Sequence, residues 1–171
     1  DGLLLDTESL YSQCFQRIFE MNSKEWNESF KTRVLGKREE EVARTCVEEG
    51  NLSMSIDEFR VVAHQIQHEL MSLAPLMNGA DSLLRQLHAM QVPLALATSS
   101  FKAVMEIKTQ SHRELFSVFS GIVTGDHPAV KHGKPSPDIF LEAAKQLNLE
   151  PTRCLVFEDS PTGVRAGLAA N

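Results

Sequence analysis

The chain has 171 residues, of which 42% are hydrophobic, 23% charged and 6% aromatic. This length suits one domain, or a core domain with a small insertion. The 23 acidic residues outnumber the 17 basic ones and give a net charge of −6, which disfavours nucleic acid as a partner. No apolar run approaches the roughly 20 residues of a membrane span, so no membrane partner is expected either.

Three cysteines, Cys14, Cys46 and Cys154, are far apart in the sequence and form no CxxC pair. An odd number of separated cysteines is typical of reduced thiols in an intracellular protein rather than of a disulfide framework. We therefore expect a cytoplasmic protein. Because nothing in the sequence indicates a large exposed apolar face, we also expect a monomer.

Residues 7–75 carry helix signals and almost no strand signals. Apolar residues at helical spacing predict helices over 7–20, 24–34, 37–49 and 55–71. Ser55 and Glu58 have the spacing of a capping box at the start of the last of these. The sequence therefore predicts a small unit of four helices over 7–75.

After Pro75, short apolar runs alternate with predicted helices. The runs cover 94–97, 122–123 and 155–157, and helices are expected over 79–90, 137–147 and from about 161. This alternation predicts an α/β fold with a Rossmann-like parallel sheet covered on both faces. Residues 1–6 and 76–171 would form this core, with the helical cap (7–75) inserted after the first strand. The first and last strands of such a sheet are expected to be missing from this chain.

Polar and charged side chains follow the apolar runs. Ligands of open parallel sheets bind at the carboxyl ends of the strands, so these side chains are expected to meet at one rim. Neighbouring carboxylates suit Mg²⁺, whereas hydroxyl groups and a lysine suit the oxygens of a phosphate. Together they indicate metal-assisted phosphoryl transfer on a small phosphorylated metabolite. Asp1 and Asp6 lie where the chain enters the helical insert and join this set. The candidates that follow the runs are Thr98, Ser99, Ser100, Asp126, Lys134, Glu158 and Asp159.

Two Ser-Pro pairs have the form of helix starts. In the first, Ser136 is predicted as the N-cap, Pro137 as the first helical residue and Asp138 as a complement to the helix dipole. This arrangement would hold Lys134 on a stiff turn. Ser160 and Pro161 repeat the device directly after the two acids.

Other candidates are weaker. His64 and His68 are four residues apart on a predicted helix and could in principle bind zinc, but no third ligand accompanies them, which favours a solvated helix face. His132 is near enough to Lys134 to touch a substrate, although we expect no catalytic role for it. The cysteines have no neighbouring base, so a thiol nucleophile is not expected.

Four segments resemble the motifs of the haloacid dehalogenase-like phosphatases, in the order in which that superfamily has them. The predicted helical insert also resembles the small cap of the subgroup that contains β-phosphoglucomutase. Within the superfamily, the run 115–126 and the pair Gly36-Lys37 most resemble the pseudouridine-5'-phosphatase subfamily. The four motif segments are Asp1-Gly2, residues 96–100, residues 133–135 with 137–140, and residues 156–160.

The resemblance implies roles at the reacting centre. Asp1 would be the general acid and base, and its main-chain carbonyl would bind Mg²⁺. Lys134 would neutralise the charge shared by the phosphate and the nucleophile. Glu158 and Asp159 would hold Mg²⁺ directly or through water.

The resemblance also implies substrate contacts. Thr98 would hydrogen-bond the transferring phosphoryl group, beside the backbone of Ser99. Lys37, on the helical cap, would contact the substrate and contribute to its recognition. The implied enzyme is a Mg²⁺-dependent phosphoric monoester hydrolase acting on a substrate that resembles pseudouridine 5'-phosphate.

One element of the family pattern is not in the chain. The nucleophilic aspartate would stand two residues before Asp1, so this exact sequence is expected to be inactive by itself. One alternative is a phosphatase or mutase of a sugar or glycerol phosphate from the same superfamily. The other is a truncated, non-catalytic relative.

Overall fold

The computed structural model describes residues 1–34 and 39–171. They form two compact units. The helical unit is Thr7–Met71, and the core unit joins Asp1–Asp6 to Ser72–Asn171. No helix within the described ranges has the length and apolar character needed to cross a membrane.

The helical unit is built around two long helices that pack against each other. The predictions for 7–20 and 55–71 are confirmed to within one residue at each end. The helices are Glu8–Met21 (α1), Glu28–Val34 (α2), Glu39–Arg44 (α3) and Ile56–Met71 (α4).

The second helix begins later than the sequence predicts. A helix was expected from residue 24, but α2 starts at Glu28 because Asn27 caps it. The Asn27 side-chain oxygen accepts hydrogen bonds from the backbone N–H groups of Ser29 (3.1 Å) and Phe30 (3.3 Å). Such a cap satisfies donors that the first helical turn leaves without partners, so it fixes the helix start.

Aromatic rings form the centre of the helical unit. The Trp26 ring lies 5.3 Å from that of Phe15 and 5.2 Å from that of Phe19, centroid to centroid. Phe19 and Phe59 are each 1% exposed. These spacings are those of favourable aromatic pairs, which add to the free energy gained by burial.

The prediction of one α-helix over 37–49 is wrong in its second half. Residues 35–38 lie outside the described residues, and the α-helix over Glu39–Arg44 continues as a π-helical turn, Thr45–Glu49. The wider π turn admits an additional residue per turn. In this chain it keeps Thr45 and Cys46 buried next to each other.

The capping box at the start of α4 is confirmed. The Ser55 backbone N–H donates to the Glu58 carboxylate (2.7 Å), and the Glu58 backbone N–H donates to the Ser55 hydroxyl (3.2 Å). Each residue thus satisfies a backbone donor of the other.

The core unit alternates helices with short strands, which confirms the α/β class. Short 3₁₀ turns follow α6 and precede residue 154. The elements are Ala80–Ala89 (α5), Ala95–Ala97 (β1), Lys102–Thr109 (α6), Arg113–Phe116 (α7), Gly121–Val123 (β2), Asp138–Gln146 (α8) and Pro161–Ala170 (α9).

The two strands pair in parallel, with Ala95 opposite Gly121 and Ala97 opposite Val123. Helix α8 packs across both strands, and its Ile139 and Ala143 form a buried cluster with Val123. Because the strands are parallel, the residues that follow β1 and β2 emerge at the same edge of the sheet.

The apolar run 155–157 is not a strand in the structure, contrary to the sequence-based prediction. Within the described residues, no strand hydrogen-bonds to it. Leu155 is 80% exposed and Phe157 55% exposed. Strand geometry depends on a pairing partner, so an apolar run alone does not produce it.

Candidate active site

The loop after β1 is held by backbone hydrogen bonds to the loop after β2. The Thr98 N–H donates to the Val123 carbonyl (3.0 Å), and the Gly125 N–H donates to the Ser100 carbonyl (2.9 Å). Within the loop, the Ser100 N–H donates to the Thr98 hydroxyl oxygen (3.1 Å). Residues 98–100, including Ser99, are therefore fixed at the carboxyl edge of the sheet.

The turn that carries Lys134 is organised by Asp138. Its carboxylate accepts hydrogen bonds from the backbone N–H groups of Lys131 and His132, both at 2.9 Å, and from the Ser136 hydroxyl at 2.6 Å. The bond from Ser136, followed by that from the His132 N–H, lowers the pKa of Asp138 to about 2. The Asp138 carboxylate thus holds the loop of residues 131–136 in a fixed conformation.

The predicted start of α8 is wrong by one residue. The helix begins at Asp138, and Pro137 occupies the N-cap position. Ser136 was expected to cap the helix by accepting a backbone hydrogen bond. Its hydroxyl instead donates to the Asp138 carboxylate. The same carboxylate also accepts hydrogen bonds from the backbone N–H groups of Lys131 and His132.

Lys134 and Glu158 form a largely buried ion pair at the rim. The Lys134 Nζ lies 2.7 Å from the Glu158 Oε2, and the two side chains are 12% and 10% exposed. The Ser160 hydroxyl donates to the other carboxylate oxygen at 2.7 Å. Burial by itself would raise the pKa of Glu158, but the hydrogen bonds from Lys134 and Ser160 outweigh it and leave the pKa lowered.

The start of α9 supports this ion pair. As predicted, Ser160 caps the helix, and its hydroxyl accepts from the Gly163 N–H at 3.0 Å. A β-carbon on Gly163 would collide with the Glu158 carboxylate. A glycine at this position therefore allows the carboxylate to lie directly against the first helical turn.

Asp159 lies against the opening segment of the chain. Gly2 has a φ of 63°, and a β-carbon there would collide with the Asp159 Oδ2. Glycine adopts this left-handed conformation at no steric cost. The close approach brings the Asp159 carboxylate beside the backbone that carries Asp1.

Lys108 is a site residue that the sequence analysis did not identify. It is 3% exposed, and its Nζ donates to both carboxylate oxygens of Asp1 at 2.8 Å each and to the Ser100 hydroxyl at 3.2 Å. A lysine in the last turn of a helix is usual, since it complements the helix dipole. Only its burial distinguishes it, and burial is not visible in the sequence.

The charged rim residues converge on the start of the chain. Lys108 pairs with Asp1, Lys134 pairs with Glu158, and Asp159 lies against the backbone next to Asp1. We call these five residues the rim cluster. Asp1 and Asp159 are near opposite ends of the sequence, and folding of the core unit brings them beside each other.

The remaining candidates lie elsewhere or pair differently. Thr98 joins the rim through Ser100, whose hydroxyl lies 3.3 Å from the Asp1 Oδ2. Lys37 lies outside the described residues. His64 pairs with Glu39 at 3.1 Å on an exposed face of the helical unit.

Burial of Cys14 and Cys46 disfavours the thiolate, which is the reactive form of a cysteine. Burial raises the pKa of Cys14 to about 11 and that of Cys46 to about 12, so neither forms much thiolate at neutral pH. In the described ranges, 1–34 and 39–171, no three His, Cys, Asp or Glu side chains are grouped to hold a metal ion. The rim presents carboxylates, hydroxyl groups and two lysines.

These features define a class: an α/β protein with a helical unit inserted after residue 6 and an acid–lysine cluster at the carboxyl edge of its parallel strands. The chain belongs to the haloacid dehalogenase-like hydrolase family, whose pattern matches residues 1–171. The family resemblance stated from the sequence motifs is confirmed.

Known proteins support this assignment. The chain is 47% identical over 173 residues to the "Probable pseudouridine-5'-phosphatase" of Drosophila melanogaster, covering 99% of this chain and 75% of that protein. It is 40% identical over 171 residues to the mitochondrial (DL)-glycerol-3-phosphatase 1 of Arabidopsis thaliana, covering 97% of this chain but only 57% of that protein. The crystal structure of a candidate β-phosphoglucomutase from Thermotoga maritima matches with a TM-score of 0.89 at 32% identity, covering 99% of this chain and 78% of that one.

Proposed function

We propose that the protein is a Mg²⁺-dependent phosphatase of a small phosphomonoester that resembles pseudouridine 5'-phosphate. The observation that carries the proposal is the rim cluster, in which two largely buried lysines and three acids lie beside the loop of residues 98–100. Membership of the haloacid dehalogenase-like hydrolase family, and the names of the relatives, support it.

Residues of two loops would recognise the phosphate. Thr98 and the backbone of Ser99 would hydrogen-bond the phosphoryl oxygens from the loop after β1. Lys134 would neutralise their negative charge from the turn before α8, where its ion pair with Glu158 holds the ammonium in place. Fixed donors of this kind need no reorganisation when charge develops in the transition state.

The donor chemistry of the rim fits Mg²⁺. Hard divalent cations take oxygen ligands, and Asp159 lies against Gly2, next to the main chain of Asp1. We assign direct binding to Asp159 and the Asp1 carbonyl. Glu158, whose oxygens already accept from Lys134 and Ser160, would act through water. The cation would offset phosphate charge during transfer.

We propose a two-step reaction through an aspartyl-phosphate. The carboxylate two residues before Asp1 attacks phosphorus, the bond from phosphorus to the leaving oxygen breaks, and that oxygen takes a proton from Asp1. Water then attacks the phosphorus of the acyl phosphate and gives a proton to Asp1. The bond to the nucleophile breaks, and inorganic phosphate leaves.

The 171-residue chain by itself is therefore expected to hydrolyse no phosphomonoester, since the proposed nucleophile is outside it. A protein that includes the residues preceding Asp1 is expected to be active. If the extended protein is also inactive on every phosphomonoester tried, the alternative of a non-catalytic relative is favoured.

The decisive variant is Asp159→Asn in the extended protein. Loss of a direct metal ligand is expected to lower kcat/KM by at least about 10- to 100-fold, the range seen even for indirect metal partners. Asp81→Asn, on the exposed side of α5, is the matched control and is expected to leave activity unchanged. Full activity of Asp159→Asn would rule out the assigned metal site.

A second candidate substrate class follows from the Arabidopsis relative, which is named as a glycerol-3-phosphatase. A panel of pseudouridine 5'-phosphate, glycerol 3-phosphate and hexose phosphates separates the two classes by kcat/KM. Lys37→Met tests the proposed substrate contact, because it is expected to change the ranking of the panel. Formation of an isomeric sugar phosphate instead of inorganic phosphate would identify a mutase.

We also propose a cytoplasmic, monomeric protein. The free cysteines Cys14, Cys46 and Cys154 form no disulfide with one another, as is usual in a reducing compartment. Light scattering of the purified protein tests the oligomeric state, and fractionation of cells tests the location.

A further inference from the structure

A fully buried lysine that no motif contains lies at the centre of the rim. Lys108 is in the last turn of α6, and its side chain is 4% exposed. Lysine is almost never buried to this extent unless its charge is paired. Lys108 is paired with the carboxylate of Asp1, which is itself 38% exposed and therefore open to a ligand.

Lys108 binds both oxygens of the Asp1 carboxylate, and we call this contact the clamp. The ammonium lies 2.8 Å from each oxygen of the Asp1 carboxylate, and 3.2 Å from the Ser100 hydroxyl. The Ser100 hydroxyl in turn lies 3.3 Å from the Asp1 Oδ2. Contacts to both oxygens restrict rotation of the carboxyl group about the Cα–Cβ and Cβ–Cγ bonds of the side chain.

The side chain of Lys108 is 4% exposed and leaves little surface for contact with a substrate. Its ammonium contacts Asp1 and Ser100, whereas Lys134, the lysine assigned to the phosphate, pairs with Glu158. The two lysines therefore act on different carboxylates. Removing one should have consequences that differ from those of removing the other.

We propose that Lys108 is a positioning residue, which holds the Asp1 carboxyl group in the orientation needed for proton transfer to the leaving oxygen. This inference rests on the proposed function, in which Asp1 is the general acid and base. Proton transfer requires hydrogen-bond geometry between the acid and the leaving oxygen, and a freely rotating carboxyl group meets that geometry only part of the time.

The leaving group provides a readout that a merely structural role would not move. An alkyl phosphate, such as glycerol 3-phosphate, needs a proton on its leaving oxygen, whereas p-nitrophenyl phosphate has a stable leaving anion and needs little help. The ratio kcat/KM includes leaving-group departure but not the later hydrolysis of the phosphoenzyme. The ratio of kcat/KM values for the two substrates therefore isolates the acid step.

The experiment compares Lys108→Met with wild type in the protein that includes the residues preceding Asp1. We expect kcat/KM for the alkyl phosphate to fall about 10-fold or more beyond its fall for p-nitrophenyl phosphate, a part of the roughly 100-fold or larger contribution of a general acid. Lys102→Met removes a 71%-exposed lysine of the same helix and is the matched control, with no change expected. Equal losses on both substrates would overturn the proposal.

A second variant covers the case in which Lys108→Met does not fold. Ser100→Ala removes a smaller contact of the same carboxyl group, and a weaker loss with the same selectivity for the alkyl phosphate is expected. Equal effects of Ser100→Ala on the two substrates would again count against the clamp.

Asp1→Asn separates the failure of this inference from that of the proposed function. If wild type hydrolyses neither substrate, the proposed phosphatase function fails. If wild type is active and Asp1→Asn shows the selective loss while the Lys108 and Ser100 variants do not, only the positioning role fails.

Discussion

Lys108 and Lys134 have side chains that are 4% and 12% exposed, whereas those of Lys102 and Lys145 are 71% and 77% exposed. A buried charge is tolerated when an opposite charge and further hydrogen bonds replace the water it has lost. In this acidic protein, each buried lysine meets a carboxylate of the rim. The cluster therefore holds its acids close together without the repulsion that they would otherwise have.

The lowered pKa of Asp138 predicts that this residue contributes to stability in a pH-dependent way. Its pKa is lowered to about 2 by hydrogen bonds from Ser136 and from the His132 N–H, below the ordinary value near 4. A group with a lowered folded-state pKa stabilises the fold above its unfolded pKa, and this stabilisation is lost as the pH falls toward the folded value. Asp138→Asn is therefore expected to lower the Tm at pH 7, and the difference from wild type should shrink below about pH 4.

Thermal unfolding followed by circular dichroism at intervals between pH 7 and pH 3 measures this difference. Glu106→Gln, an exposed substitution on α6, serves as the control for general charge effects. A difference in Tm that stays constant down to pH 3 would show that the Asp138 carboxylate does not organise the turn.

At the scale of the elements, Gly163 in α9 is subject to two opposing effects, helix propensity and steric contact with Glu158. Gly163 lies within the helix, where alanine is ordinarily more favourable than glycine by roughly 0.5–1 kcal/mol. The Glu158 carboxylate occupies the space that an alanine side chain would fill. We therefore expect Gly163→Ala to destabilise the protein, because Glu158 must leave its position against the helix and with it the pair with Lys134.

A double-mutant cycle with Glu158→Ala tests this explanation by chemical denaturation. With the carboxylate removed, Gly163→Ala should become stabilising by about the helix-propensity difference of 0.5–1 kcal/mol. If Gly163→Ala has the same effect with and without Glu158, the contact between the two residues does not determine the outcome.

At the scale of the whole molecule, the two units differ in how the sequence builds them. The helical unit is one continuous segment, Thr7–Met71, with its own aromatic core. The core unit needs Asp1–Asp6 and Ser72–Asn171 together. Because the helical unit is continuous, none of its internal contacts closes a loop longer than the unit itself, which limits the entropic cost of forming them.

A fragment of residues 7–71 is therefore expected to fold alone, with helical circular dichroism and cooperative thermal unfolding. Phe19→Ala should abolish the cooperative transition, because removing a buried phenylalanine costs about 3–5 kcal/mol. Met21→Ala, at a 66%-exposed position of the same helix, should leave it unchanged. A fragment that shows no cooperative transition would mean that the helical unit depends on the rest of the chain.

The sequence by itself determined the features that depend on neighbouring residues. Hydrophobic periodicity located α1 and α4, and the spacing of Ser55 and Glu58 identified a helix cap that the structure contains. The order of the four motifs identified the family. Such features could be predicted because their physical causes, side-chain period and local hydrogen bonding, act within a few residues.

Only the tertiary structure decided the features that depend on distant partners. The apolar run 155–157 has the composition of a strand but no pairing strand within the described residues, and Ser136 gives its hydrogen bond to a carboxylate instead of capping α8. Lys108 has the sequence context of a surface lysine, and it is buried because folding places Asp1, 107 positions away in sequence, beside it. Pairing and burial depend on which segments meet in space, and no local pattern encodes that.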